Sequence, residues 1–255
     1  ADLIVQELQL SGANGVTSPG ESDTRDKMEE LSEALSVSET TRFRALSARA
    51  NYLAADRPDI MYAVKELCRG MANPTKAHWH KLKRLGRYLR GNPRLVFMLP
   101  FQHPAKWDVY TDTDWAGCLK TRKSTSGGCV MMGSHLIKSW SSTQANISLS
   151  SGEAEFYGVV KASGVGMGYA ALLTDIGIQL PLRVWTDSTA TIGICGRQGL
   201  GKLRHVDTQC LWIQQSERNG DIELRQVKGE VNPADLFTKH LSSRDRVCLL
   251  YTSDA

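Results

Sequence analysis

The chain has 255 residues and a formal net charge of +4, with 41% hydrophobic and 23% charged residues, an ordinary globular composition with enough apolar content for one or two cores. No apolar run approaches the ~20 residues that a membrane span needs. The six cysteines, at 68, 118, 129, 195, 210 and 248, form no CxxC pair and read as reduced thiols of a non-secreted protein. The opening ADLIVQELQL lacks a Met and any signal-peptide character and reads as an internal cut. The closing CLLYTSDA resembles the translation of a sequencing-library adapter, so residues 247–255 are expected to be a non-native tail.

In chain order, residues 1–38 are weakly patterned, and SGANGVTSPGESD (11–23) reads as a loop or linker. Residues 39–92 are helical in three pieces. The first carries Phe43, Leu46, Ala50 and Leu53 at helical spacing. The second has Asp56 as a possible cap and Pro58 in its first turn. The third begins after Asn73-Pro74 and stops at Gly91-Asn92-Pro93. Its apolar stripe is Trp79, Leu82, Leu85 and Leu89. Its other face is basic (Lys76, Lys81, Lys83, Arg84, Arg87, Arg90), which is either a solvated face or a phosphate-binding one, and Lys83, Arg84 and Arg87 are taken as nucleic-acid contacts.

From about 105 the pattern changes to strands: WDVYTD, then a hairpin turning at Gly133-Ser134. A helix is expected over about 152–177, then the strand LRVWTD, helices over 188–195 and about 204–219, the strand DIELRQVK, and a last helix near Pro233. The order is βββαβαβα. Three antiparallel strands followed by α/β alternation imply a mixed five-stranded sheet flanked by helices, an α/β fold.

Four acidic residues fall where elements meet. Asp112 ends the first strand, Glu155 lies in the first turn of the long helix, Asp187 ends RVWTD, and Asp235 lies in the first turn of the last helix. Strand ends and helix starts are where an α/β sheet gathers functional groups. Clustered carboxylates repel unless a cation sits among them, and hard oxygen donors select Mg²⁺ or Mn²⁺. Each has an ordinary structural alternative: Asp112 a turn aspartate, Asp187 a helix cap, Asp235 a helix-start charge. Glu153 is assigned to a capping box with Ser150. Alternation puts Asp114 on the same face as Asp112, where it either supports the cluster from outside or faces water.

YTDTDWAGCLKTRKSTSGG (110–128), SWSSTQANISLSSGEAEFYG (139–158), WTDSTATIGI (185–194), LRHVDTQCLWIQ (203–214) and VNPADLFTKHL (231–241) together resemble the ribonuclease H domain of copia-type retrotransposon polyproteins. The stretch from Arg42 to Gly91 is similar to the reverse-transcriptase thumb segment of the same polyproteins. The resemblance implies a ribonuclease H-like fold over 104–243, a thumb-like segment over 39–100, and the end of the polymerase region with a linker over 1–38. It implies hydrolysis of the RNA strand of RNA–DNA hybrids. Two Mg²⁺ ions, for which Mn²⁺ substitutes, would be held by Asp112, Glu155, Asp187 and Asp235. It implies as partners the hybrid and the polymerase palm and fingers, with no membrane and no small-molecule cofactor, and a cytoplasmic location within virus-like particles.

Arg122, Lys123, Ser124, Ser150 and Ser151 are placed to meet phosphates and 2′-hydroxyls, and Arg204 and His205 are further candidates. The YxDD-type polymerase motif is absent, so DNA synthesis is not expected from this chain. Cellular ribonucleases H carry a His-containing loop before the last Asp; QVKGEVNPAD has none, and Lys228 or Glu230 could substitute in part. Two further readings are a non-catalytic connector module and a nuclease fold of the integrase or transposase type.

Overall fold

The computed structural model describes residues 1–22, 24–199, 201 and 211–240. Arg204, His205 and the adapter-like tail lie outside these residues. The chain divides into two compact units, one of Ala1–Phe97 with the segment from Lys239, the other centred on Met98–Thr238.

The first unit is helical: α1 (Asp2–Glu7), α2 (Arg25–Glu30), α3 (Val37–Leu53), a 3-10 turn (Pro58–Ile60), α4 (Met61–Arg69) and α5 (Lys76–Gly91). Ser36 caps α3 in a capping box with Glu39, and Thr75 caps α5. Asp56 caps nothing; Arg57 begins the 3-10 turn and pairs with Asp59 at 2.7 Å. The core joins Phe43, Leu46, Ile60, Leu67, Leu82, Leu85 and Leu89, with Trp79 packed against it. Ile4, Val5 and Leu8 are buried in the same core. Residues 1–10 look unpatterned in sequence because α1 is too short to show a period and is held by tertiary packing.

The basic face of α5 departs from expectation. Arg84 donates to Glu21 Oε2 at 3.1 Å and to Ser18 Oγ at 2.9 Å. Arg87 donates to Asn14 O and Arg90 to Ser11 O, each at 2.8 Å. Lys76 pairs with Glu33. Arg84 and Arg87 therefore reach the irregular 11–21 loop, whose Glu21 carboxylate, Ser18 hydroxyl and Asn14 carbonyl accept from them. Lys83 is exposed.

The second unit contains β1 (Trp107–Asp114), β2 (Thr125–Met132), β3 (His135–Thr143), α6 (Ser151–Asp175), β4 (Leu182–Thr186), α7 (Thr189–Cys195), α8 (Trp212–Asn219) and β5 (Glu223–Gln226). The sheet order is β3-β2-β1-β4-β5. The β1–β2 and β2–β3 pairs are antiparallel; β1–β4 and β4–β5 are parallel. This is the mixed five-stranded sheet with flanking helices of the ribonuclease H-like fold. The hairpin turns at Gly133, whose φ of +58° suits glycine. Trp107, Val109, Val130, Phe156, Val159, Ala162 and Val184 form the core between sheet and α6. In place of the expected last helix, the described residues show a 3-10 turn, Pro233–Phe237, capped by Asn232. Among the described residues no helix is long and apolar enough to cross a membrane.

Candidate metal centre

The parallel ladder sets Asp108 opposite Arg183 and Tyr110 opposite Trp185. Carried two residues further, the same register brings Asp112, still inside β1 and not at its end as expected, level with Asp187, which directly follows β4. Ser188, not Asp187, caps α7: its Oγ accepts from Thr191 N at 3.2 Å.

Glu155 arrives from α6. Ser150 caps this helix, accepting from Glu153 N at 3.2 Å. Glu153 reaches back as expected, but its carboxylate accepts from Leu149 N, at 2.9 Å, rather than from the cap residue itself. Two turns of close packing then seat the helix. A Cβ on Gly158 would lie 2.7 Å from Thr113 Oγ1, so only glycine lets α6 come this near β1. Thr113 N donates to Glu155 Oε1 at 3.0 Å.

The result is a cluster: oxygen atoms of Asp112, Glu155 and Asp187 all lie within 4.8 Å of one another. Asp112 and Glu155 are buried and Asp187 half-buried. Thr238 Oγ1 donates to Asp112 Oδ2. Glu155 Oε2 is buried and has no hydrogen-bond partner. Burial, together with the charges of Asp112 and Asp187 and to a lesser degree Asp235, pushes the Glu155 carboxyl up to about 9 against the pull of Thr113 N–H. A buried carboxylate oxygen without a donor, in a set of hard oxygen ligands, fits a divalent cation such as Mg²⁺ or Mn²⁺.

Asp235 is buried but is not one of the three clustered carboxylates. Its turn is tied to β1 through Asn232, whose Nδ2 donates to Thr111 O at 3.0 Å. Gly127, paired with Asp112 across the sheet, makes room for this turn: a Cβ there would lie 2.6 Å from Phe237 Cβ. On the Asp187 side, a Cβ on Gly229 would lie 3.2 Å from Asp187 Oδ2, and Lys228 and Glu230 flank it, exposed. Asp114 turns away to its own loop, with Oδ2 over Gly117 where a Cβ would stand.

The candidate substrate contacts are divided. Arg122 is exposed, with a left-handed φ of +56°, and Lys123 is half-buried. Ser150 and Ser151 are exposed at the start of α6. Ser124 is fully buried and its Oγ accepts from Ala116 N at 3.0 Å, so it shapes the β1–β2 loop instead of facing a ligand. Sequence reasoning missed Thr238, Asn232 and Thr113. Only Asn232, in front of a proline and an acidic turn, carries a readable capping signal.

No family model matches the chain. It is 34% identical over 206 residues to the retrovirus-related Pol polyprotein from transposon RE2 of Arabidopsis thaliana, covering 79% of this chain and 14% of that protein. It is 33% identical over 210 residues to the Pol polyprotein from transposon RE1 of the same plant, covering 81% and 14%. The chain thus spans about a seventh of these relatives. Among solved structures, LC11-RNase H1 in complex with an RNA/DNA hybrid is similar at 12% identity and a TM-score of 0.35, covering 56% of this chain and 99% of that one. The fold itself rests on the strand order and register of the chain. On the two polyprotein relatives, the chain belongs to the Pol polyproteins of copia-type retrotransposons.

Proposed function

We propose that the chain is the ribonuclease H portion of a retrotransposon Pol polyprotein, preceded by a thumb-like segment, and that it hydrolyses the RNA strand of RNA–DNA hybrids. The observation that carries this reading is the buried cluster of Asp112, Glu155 and Asp187 with its unpartnered Glu155 Oε2. Asp112, Glu155 and Asp187 would hold two Mg²⁺ ions, with Asp235 as the fourth carboxylate. Bound divalent ions supply Lewis-acid activation of water and charge neutralisation at the departing 3′-oxygen.

The protein's part is to hold the ligands still. Thr113 N–H orients Glu155, the Thr238 hydroxyl orients Asp112, and Ser188 takes the cap that Asp187 would otherwise fill. Arg122 and Lys123 would meet phosphates, and the Ser150 and Ser151 hydroxyls would meet sugar or phosphate oxygens of the hybrid. The palm and fingers of the same polyprotein are the proposed protein partners, within virus-like particles.

Calorimetric titration of Mn²⁺ into the whole chain tests the site. Binding at more than one site, lost in Asp187→Asn with the fold intact, supports the reading. Equal binding in both proteins sinks it.

A further inference from the structure

Gln144 directly follows β3, and its hydrogen bonds converge on the joint that holds Glu155. Its backbone N–H donates to Ser124 O at 2.8 Å. Its side-chain amide donates to Ser126 Oγ and to Ala154 O, both at 2.8 Å, and accepts from Ser148 Oγ at 2.9 Å. Two of these partners bracket the Thr113–Glu155 bond. Ser126 is the cross-strand partner of Thr113. Ala154 immediately precedes Glu155 in α6.

The amide therefore makes a second link, in parallel with the first, between one strand pair and one helical turn. Core packing seats α6 on the sheet, and the Thr113 N–H bond fixes one point of its N-terminal end. The amide of Gln144 fixes a second point at the same level. Glutamine suits the place: it offers two donors and an acceptor without charge. A glutamate would have no donor for Ala154 O and would add negative charge beside the cluster. Trp115 Nε1, donating to Ser148 O at 3.0 Å, extends the network to the β1–β2 loop.

We propose that Gln144 is a positioning residue for Glu155: its amide fixes the first turn of α6 against β2, so that the Glu155 carboxylate stays on Thr113 N–H beside Asp112 and Asp187. The geometry stands on its own, and the consequence for metal affinity rests on the metal-centre reading above.

The test uses the whole chain, Gln144→Leu, and the milder Ser148→Ala, which removes one partner of the amide. Amide hydrogen exchange is followed by NMR at Thr113 and at Val109, on the same strand away from the site. Free Mn²⁺ is followed by electron paramagnetic resonance, with Asp187→Asn as the cluster control. In Gln144→Leu the Thr113 exchange rate should rise about tenfold with Val109 unchanged, and Mn²⁺ affinity should fall about tenfold. Ser148→Ala should move Thr113 in the same direction by less, and it carries the comparison should Gln144→Leu fail to fold. A Thr113 rate that is unchanged, or that rises only in step with Val109, overturns the proposal. If the unmodified chain and Asp187→Asn bind Mn²⁺ alike, the metal reading fails, while the Thr113–Val109 comparison still decides the role of Gln144.

Discussion

The Arg183 guanidinium grips the Asp108 carboxylate with two hydrogen bonds, each of 2.6 Å, across the parallel β1–β4 ladder. Trp185 Nε1 adds a third, at 2.7 Å. The pair pins the register that carries Asp112 level with Asp187. Asp108→Ala leaves three donor nitrogens without their acceptor and should cost about 2–3 kcal/mol in urea unfolding. The double variant with Arg183→Met should recover part of that loss, because the guanidinium is then gone and only Trp185 Nε1 lacks its acceptor. An Asp108→Ala protein as stable as the parent would show that the register is fixed elsewhere.

Gly127 is the second point where the site depends on close approach. Its would-be Cβ meets not only Phe237 Cβ but the Phe237 carbonyl carbon, at 2.8 Å, and backbone cannot step aside as a side-chain tip can. Gly127→Ala should cost about 1–3 kcal/mol and lower Mn²⁺ affinity, since the displaced turn takes Thr238 away from Asp112. Unfolding and Mn²⁺ titration of the same sample check both effects.

The Glu155 carboxyl gives a dependence on pH with a definite sign. Its folded value, about 9, lies above the ordinary 4.5, so between those values the folded chain holds a proton that the unfolded chain has released. The stability it contributes is fully present below about pH 4.5 and is lost as pH rises towards 9, by at most about 1.4 kcal/mol per pH unit. In a chelator, the chain should lose stability over this window and Glu155→Gln should lose less. Added Mg²⁺ should restore stability at the alkaline end, since an ion that binds only the folded state takes the place of the proton. Parallel unfolding curves for the two proteins across the window would contradict the assignment.

Arg84 and Arg87 test the clasp on the 11–21 loop. Arg84→Ala with Arg87→Ala should speed proteolytic cutting within that loop several-fold, while Lys83→Ala should leave the rate unchanged. Equal rates in all three proteins would mean that the loop is held by other contacts.

Much of the second unit was legible because its signals are local. The strand run WDVYTD marked β1, the Ser150 cap marked the start of α6, and Gly133 marked the hairpin turn. Asp112, Glu155 and Asp187 stood out because each lies near the end or start of an element, although Asp112 falls inside β1 and Glu155 beyond the first turn of α6. What supports them was not legible. Thr238 reaches Asp112 and Gln144 reaches Ala154 by side-chain bonds that no spacing rule announces, since the fold alone makes those residues neighbours. The basic face of α5 was legible only as charge: the pattern shows which residues are cationic, but not that a distant loop of the same chain supplies acceptors to Arg84 and Arg87.

The most direct measurement is cleavage of an end-labelled RNA annealed to DNA by the whole chain in Mg²⁺, beside the Asp187→Asn variant. Metal-dependent cutting of the RNA strand, absent in the variant and absent with RNA alone or duplex DNA, is the predicted result. No cutting by a folded chain that binds Mn²⁺ and hybrid, even with the polymerase palm added, would contradict the account.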